Sequence, residues 1–283
     1  MSAGEITRYA PGKIYENLYV YITQLVERTN PDLIIIPGDV IYGEFDDAGT
    51  SLTGFISFME GFGIPWAPVM GNHDGNESAK GAAWQCQQYI NAPNCLFKTG
   101  TVKGYGNYTI GIRQGGELVR TIYMMDKSSS VGFGADQKEW LDLAAQRIAD
   151  AYQKSIPAFL VFHIPVNEFQ DAAIAAGYQL AADGAYIYTI GANSNGDFGA
   201  KGEAFKSIHA EPGLLALLKK HNFDGVFVGH NHLINTSVLY QGIRWTFGLK
   251  TGKYDRYPTN HGGTSILVEE GGAAFVVSHV YCD

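Results

Sequence analysis

The chain is poor in the residues that staple, anchor or electrostatically steer a protein. Three cysteines in 283 residues are too few for a disulfide framework. Cys86 and Cys95 lie close enough to bridge, but two reduced thiols in a helix and its following loop is the preferred reading. There is no cluster of Lys and Arg, and the net charge is −8, so no broad nucleic-acid footprint is expected. No apolar run is long enough to span a bilayer, and the N-terminus carries no signal-peptide pattern. Internal repeats and low-complexity tracts are missing as well. What remains is a globular composition, with 46% hydrophobic and 17% charged residues. The length suits a sizeable core, and 35 glycines imply many tight turns and close backbone approaches. An acidic chain of this kind still handles phosphate if a metal supplies the positive charge.

Periodicity orders the chain. Ile14, Leu18, Ile22 and Leu25 recur at helical spacing over 13–29, and Asn30-Pro31 stops the helix. Leu33 to Ile36 reads as a buried strand with Pro37-Gly38-Asp39 at its carboxyl end. A helix is expected over Leu52 to Phe62. A strand follows over Ile64 to Met70, leading straight into Gly71-Asn72-His73-Asp74. Glu77 to Ile90 looks helical. Tyr108, Ile110 and Ile112 alternate as in a half-buried strand, and Gly115-Gly116 turns the chain into Leu118 to Met125. An amphipathic helix over Ala135 to Lys154 precedes a buried strand, Pro157 to Phe162, which ends on His163.

Residues 177–202 show no clear period and read as a long loop or insertion near the site. Leu214 to Lys220 is a short helix, and Phe223 to Val228 a buried strand running into Gly229-His230-Asn231-His232. Strands over Asn235 to Tyr240, Ile243 to Phe247, Thr264 to Val268 and Ala274 to Val280 complete the chain. Strands and helices alternate early and hairpins dominate late, which predicts layered α/β with mixed sheets. Trp84, Trp140 and Trp245 are expected in packing roles, and His209, His221 and His261 in solvated or capping ones.

Four predicted strands end in polar, metal-competent side chains: Asp39; Asn72 and His73; His163; His230 and His232. Ligands of open α/β sheets bind beyond the carboxyl ends of strands, and structural needs alone would not put Asp, Asn and His there repeatedly. Together these motifs resemble the calcineurin-like metallophosphoesterases over essentially the whole chain. The stretch Phe247-Gly248-Leu249-Lys250-Thr251-Gly252 looks like the bacterial branch near the purple-acid-phosphatase-like proteins.

The resemblance implies one domain over 1–283, a four-layer α/β/β/α sandwich of two mixed sheets. It implies two divalent or trivalent ions (Mn, Fe or Zn) that activate a bridging hydroxide for in-line attack on a phosphoester. On that basis Asp39 bridges the ions, Asn72, His163 and His230 complete one, and His232 belongs to the other. His73 faces the substrate, stabilising the transition state or protonating the leaving oxygen; a turn residue shaping the loop is the plain alternative. Asp74 orients His73, with a helix N-cap as an equal alternative. Tyr42, three residues after Asp39, matches a ferric-iron ligand of the purple branch, although packing under the loop is favoured. Lys250, Tyr254 and Arg256 are candidate phosphate contacts, with a solvated loop as the other reading.

The family's opening Asp-x-His or Asp-x-Gly, after a first core strand, has no counterpart: residues 1–12 hold neither Asp nor His. A truncated start is the preferred explanation, and one strong plus one weak metal site the other. A non-catalytic scaffold on the same fold, like the retromer subunit that resembles these enzymes, is the second function class. As given, the chain reads as cytoplasmic, or as secreted or periplasmic if a leader precedes it. Oligomeric state is not legible.

Overall fold

A computed structural model describes residues 13–41, 48–75, 80–127, 132–179, 188–252 and 261–283. The first element, α1 (Lys13–Thr29), closes on Asn30, whose backbone is left-handed at φ 42° and whose N–H returns to Val26 O at 2.8 Å. An αL cap directly before Pro31 is a clean stop, because the proline denies its predecessor the helical region.

The strand β1 (Ile34–Ile36) pairs in parallel with β2 (Trp66–Pro68), across the helix α2 (Thr50–Glu60). The prolines do not break β2, since Pro65 and Pro68 sit at its ends and its ladder uses Pro65 O and the Val69 N–H. After α3 (Gly81–Asn91) the chain builds a six-stranded mixed sheet. Its members are β3 (Tyr108–Gln114), β4 (Glu117–Met124), β5 (Ala158–Val161), β8 (Phe223–Val228), β9 (Ser237–Tyr240) and β10 (Ile243–Phe247). The spatial order is β3-β4-β5-β8-β10-β9; the inner four are parallel, and the two edges are antiparallel to their neighbours. A final hairpin pairs β11 (Gly262–Val268) with β12 (Phe275–Tyr281).

The alternation of each inner strand divides two cores, one on each face of this sheet. Leu160, Phe162, Val226 and Val228 meet α4 (Ala135–Tyr152), α5 (Asn167–Ala175) and α6 (Leu214–Lys220). Phe159, Val161 and Phe227 meet Trp66, Leu52, Met59, Tyr89 and Val277 from β2, α2, α3 and β12. The chain is thus a mixed α/β fold, as its patterning predicts.

Two expectations need correction. The helix α5 was not anticipated: Phe169, Ala172 and Ala173 mark a buried stripe, but nine residues of mixed polarity give it little period. The stretch expected to be a long loop contains the small pair β6 (Tyr188–Thr189) and β7 (Ala200–Lys201). Phe198, Ala200 and Gly202 also bond to Ser237, Asn235 and Leu233, so this stretch braces the start of β9. Of the two roles expected of His221 it takes the capping one, as the C-cap of α6, with its side chain 6% exposed and 2.5 Å from Asp142. Cys86, Cys95 and Cys282 are all free. Among the described residues no helix is long and apolar enough to cross a membrane.

Arg120 pins the sheet to the segment before β12. Its buried guanidinium reaches both Asp224 oxygens at 2.5 and 2.9 Å and Gly272 O at 2.7 Å, and lies 4.1 Å over the Phe159 ring. Removing one partner of such a pair strands the other charge. Asp224→Ala is therefore expected to cost about 3 kcal/mol in urea unfolding. A loss under about 0.5 kcal/mol would show that the carboxylate is dispensable.

Candidate metal centre

Parallel strands deliver their carboxyl ends to one edge, and this protein uses that edge twice. β5 and β8 end there in His163 and in Gly229-His230, while β1 and β2 end in Asp39 and Asn72. The side chains converge. His163 Nε2 lies 3.0 Å from Asp39 Oδ2 and 3.1 Å from Asn72 Oδ1. His230 Nδ1 lies 2.8 Å from the same Asn72 oxygen. Ligand atoms of Asp39, His163 and His230 all fall within 4.8 Å of one another.

The backbone is bent to make this possible. Asp39 and His230 are left-handed at φ 54° and 69°, a conformation uncommon for residues other than glycine. Gly38 and Gly71 let the loops touch. A Cβ on Gly71 would stand 2.2 Å from both the backbone N and the Oδ1 of Asp39. Gly71→Ala is accordingly expected to push the carboxylate out of place. It should destabilise the fold by about 1–3 kcal/mol, read as a drop in melting temperature, and weaken cation uptake in parallel. Unchanged uptake would mean that the Asp39 loop tolerates the shift.

Charge in this group is shared between Asp39 and His163. The Pro37 carbonyl can only accept, so His163 Nδ1 carries a proton and donates at 2.6 Å, which leaves Nε2 directed at Asp39 and Asn72. Burial disfavours a charged His163, but Asp39 and the Pro37 carbonyl outweigh it and raise its pKa. Burial likewise works against an ionised Asp39, yet His163 at its side holds the carboxyl well below the usual range. Burial first, and then the neighbouring His163, pushes His230 down to about 4, so it is a neutral ligand at neutral pH. Its Nε2 is buried without a hydrogen-bond partner. An orphaned ring nitrogen beside a carboxylate, an amide oxygen and a second imidazole is a donor set that fits a divalent or trivalent ion.

The remaining predicted residues fall around this group. His73 is half-buried, and its backbone N–H donates to Asp39 Oδ1 at 2.9 Å. His232 is half-buried and lies outside the Asp39–His163–His230 group. Tyr42, Tyr254 and Arg256 lie outside the described residues.

Asp74 holds partners that the sequence does not predict. It is fully buried, and its two oxygens accept from the backbone N–H groups of Asp39, Val40, Ile41 and Gly71 at 2.7–3.2 Å and from Gln85 Nε2 at 3.0 Å. These bonds tie the two strand-end loops together. The next described helix begins only at Gly81, with Lys80 at its N-cap position, so Asp74 does not cap it.

Three supporting groups escaped the sequence reading: the Pro37 carbonyl, Gln85, and Glu203, which receives Leu233 N–H at 2.9 Å beneath the His230–His232 loop. Only the Pro37 carbonyl had a local signal, in the Pro-Gly-Asp turn; the others come from distant helix and loop positions.

A mixed α/β sheet whose strand ends gather Asp, Asn and His offers a frame able to hold metal ions at one edge. The Calcineurin-like phosphoesterase family model matches residues 12–233, and the chain belongs to that family. It is 25% identical over 262 residues to "Probable inactive purple acid phosphatase 29" of Arabidopsis thaliana, covering 82% of this chain and 62% of that protein. It is 28% identical over 169 residues to "Phosphatase DCR2" of Saccharomyces cerevisiae, covering 53% of this chain and 29% of that one. Among solved structures, the purple acid phosphatase PPD1 from yellow lupin seeds shares the fold. The TM-score is 0.51 at 15% identity, covering 91% of this chain and 45% of that one. The chain spans 62% and 60% of the first two Arabidopsis relatives it matches.

Proposed function

We propose that this chain hydrolyses phosphoesters at a cation centre held by Asp39, Asn72, His163 and His230, with His232 directed to a second ion. The observation that carries this reading is the meeting of His163 and His230 on the Asn72 amide oxygen, with Asp39 3.0 Å from the same His163 nitrogen and with His230 Nε2 buried and unpaired. When bound, the cations supply Lewis acidity and acidify a water to a nucleophile, from a pKa near 15.7 to about 7.

The protein's own residues do the rest. Asp39 offers a carboxylate whose single negative charge offsets part of the charge of the bound cations. Asn72 is an uncharged ligand that leaves its ion electrophilic. The Pro37 carbonyl fixes the His163 tautomer so that Nε2 faces inward. His73, next to the ligand Asn72, is placed to meet the phosphoryl group or the leaving oxygen.

A second reading, a scaffold without turnover, draws on the relatives named "probable inactive" purple acid phosphatases. One experiment separates the two. The purified chain, stripped of metal and reloaded with Mn²⁺ or with Fe and Zn, is assayed on an aryl phosphate while metal content per chain is measured. The hydrolase reading expects bound metal and metal-stimulated phosphate release. Stoichiometric metal without turnover would support the scaffold, and no metal at all would reject the centre.

A further inference from the structure

The Asp39 loop is held from a helix that never reaches the centre. Asp74 gathers the consecutive N–H groups of Asp39, Val40 and Ile41, a concave backbone nest that needs an anion at its focus. The left-handed Asp39 stays in place only while that anion does. Asp74 is itself set by Gln85 of α3, whose Nε2 donates to Asp74 Oδ1 at 3.0 Å and to the Tyr89 hydroxyl at 2.8 Å. All three side chains are fully buried.

The glutamine is an expensive way to fill this space. Its Oε1 is buried with no hydrogen-bond partner, a desolvation cost that a methionine or leucine of similar size would avoid. The flipped amide would aim that oxygen at the Asp74 carboxylate, so the NH₂ must face Asp74. What Gln85 contributes is therefore its pair of N–H groups, one fixing the carboxylate and the other fixing the amide against Tyr89.

We propose that Gln85, oriented by Tyr89, is a positioning residue for the cation ligand Asp39, acting through Asp74 across α3 and the β1 and β2 loops. The inference rests on the reading of Asp39 as a cation ligand. Supporting groups of this kind cost about 10–100-fold in metal affinity when removed.

The test uses the full chain stripped of metal and titrated with Co²⁺, whose visible bands report ligand geometry. Gln85→Met should keep a cooperative thermal transition but bind Co²⁺ about 10–100-fold more weakly, with shifted bands at saturation. Tyr108→Phe serves as the control. It removes a buried hydrogen bond to Pro68 O in the same core, and should lose stability with wild-type affinity and bands. If Gln85→Met does not fold, Tyr89→Phe removes only the hydroxyl and should weaken Co²⁺ binding in the same direction, by less. Wild-type Co²⁺ affinity and spectrum in a folded Gln85→Met or Tyr89→Phe chain would overturn the inference and leave the centre standing. No Co²⁺ uptake by the unaltered chain would instead overturn the centre itself, and the inference with it.

Discussion

Replacing Asp39 with alanine is expected to abolish metal-stimulated phosphate release, lowering it by about 10³-fold or more, because Lewis-acid stabilisation of phosphoryl transfer is worth several kcal/mol. The effect is large because Asp39 does more than supply one oxygen. It is the anion that balances the buried His163, and its Oδ1 receives the His73 backbone N–H. On the proposed reading its loss removes a ligand, leaves one imidazole without its counter-charge and frees the start of the His73 loop. Metal content should fall along with turnover. His163→Ala, which removes the other half of the 3.0 Å contact, should match it within about tenfold, since residues acting as a unit are not additive. Turnover of Asp39→Ala within about tenfold of the parent would place the chemistry elsewhere.

Asp74→Ala carries the second large effect, and it falls on stability. Removing the carboxylate orphans four backbone N–H groups and the Gln85 amide in a space sealed from water. Each buried, unsatisfied group costs about 1–3 kcal/mol. Part of that is returned, because the charge itself is held at a cost: burial, and then the nearby Asp39, push the Asp74 pKa up to about 6. The balance is an expected loss of about 3 kcal/mol in denaturant unfolding, with metal affinity falling as well. A carboxylate that merely oriented His73 would give another pattern, with turnover reduced as far as in His73→Ala and stability barely changed. Unfolding curves for the two variants side by side decide between these roles.

Much of the architecture could be read from apolar spacing. The helix α6 and the strands β8 and β10 lie where their patterns place them, because the apolar positions of each fall on the side that is buried. The helix α5 and the pair β6–β7 could not be read. Their residues are short and mixed, and they are ordered by what they pack against: Phe169 by Trp245 and Phe247, and residues 198–202 by the start of β9. Strand termini also moved by a few residues, since ladder bonds, not hydropathy, end a strand.

The candidate centre divides along the same line. That Asp39, Asn72, His163 and His230 lie at strand ends was already present in the residue order, because each follows directly on a short apolar run, with a glycine between in all but His163. Which of them meet, and at what distance, depended on parallel pairing of strands far apart in sequence, which no local pattern specifies. The partners of Asp74 show the limit most plainly. Beside a histidine in sequence it looked like that histidine's orienter, but only the approach of β1 to β2, and of α3 to both, brought four backbone N–H groups and an amide to its oxygens. Chemistry was carried by residue type and order, while partnership was assigned by packing, because a buried polar group takes whichever donors the fold brings within 3 Å of it.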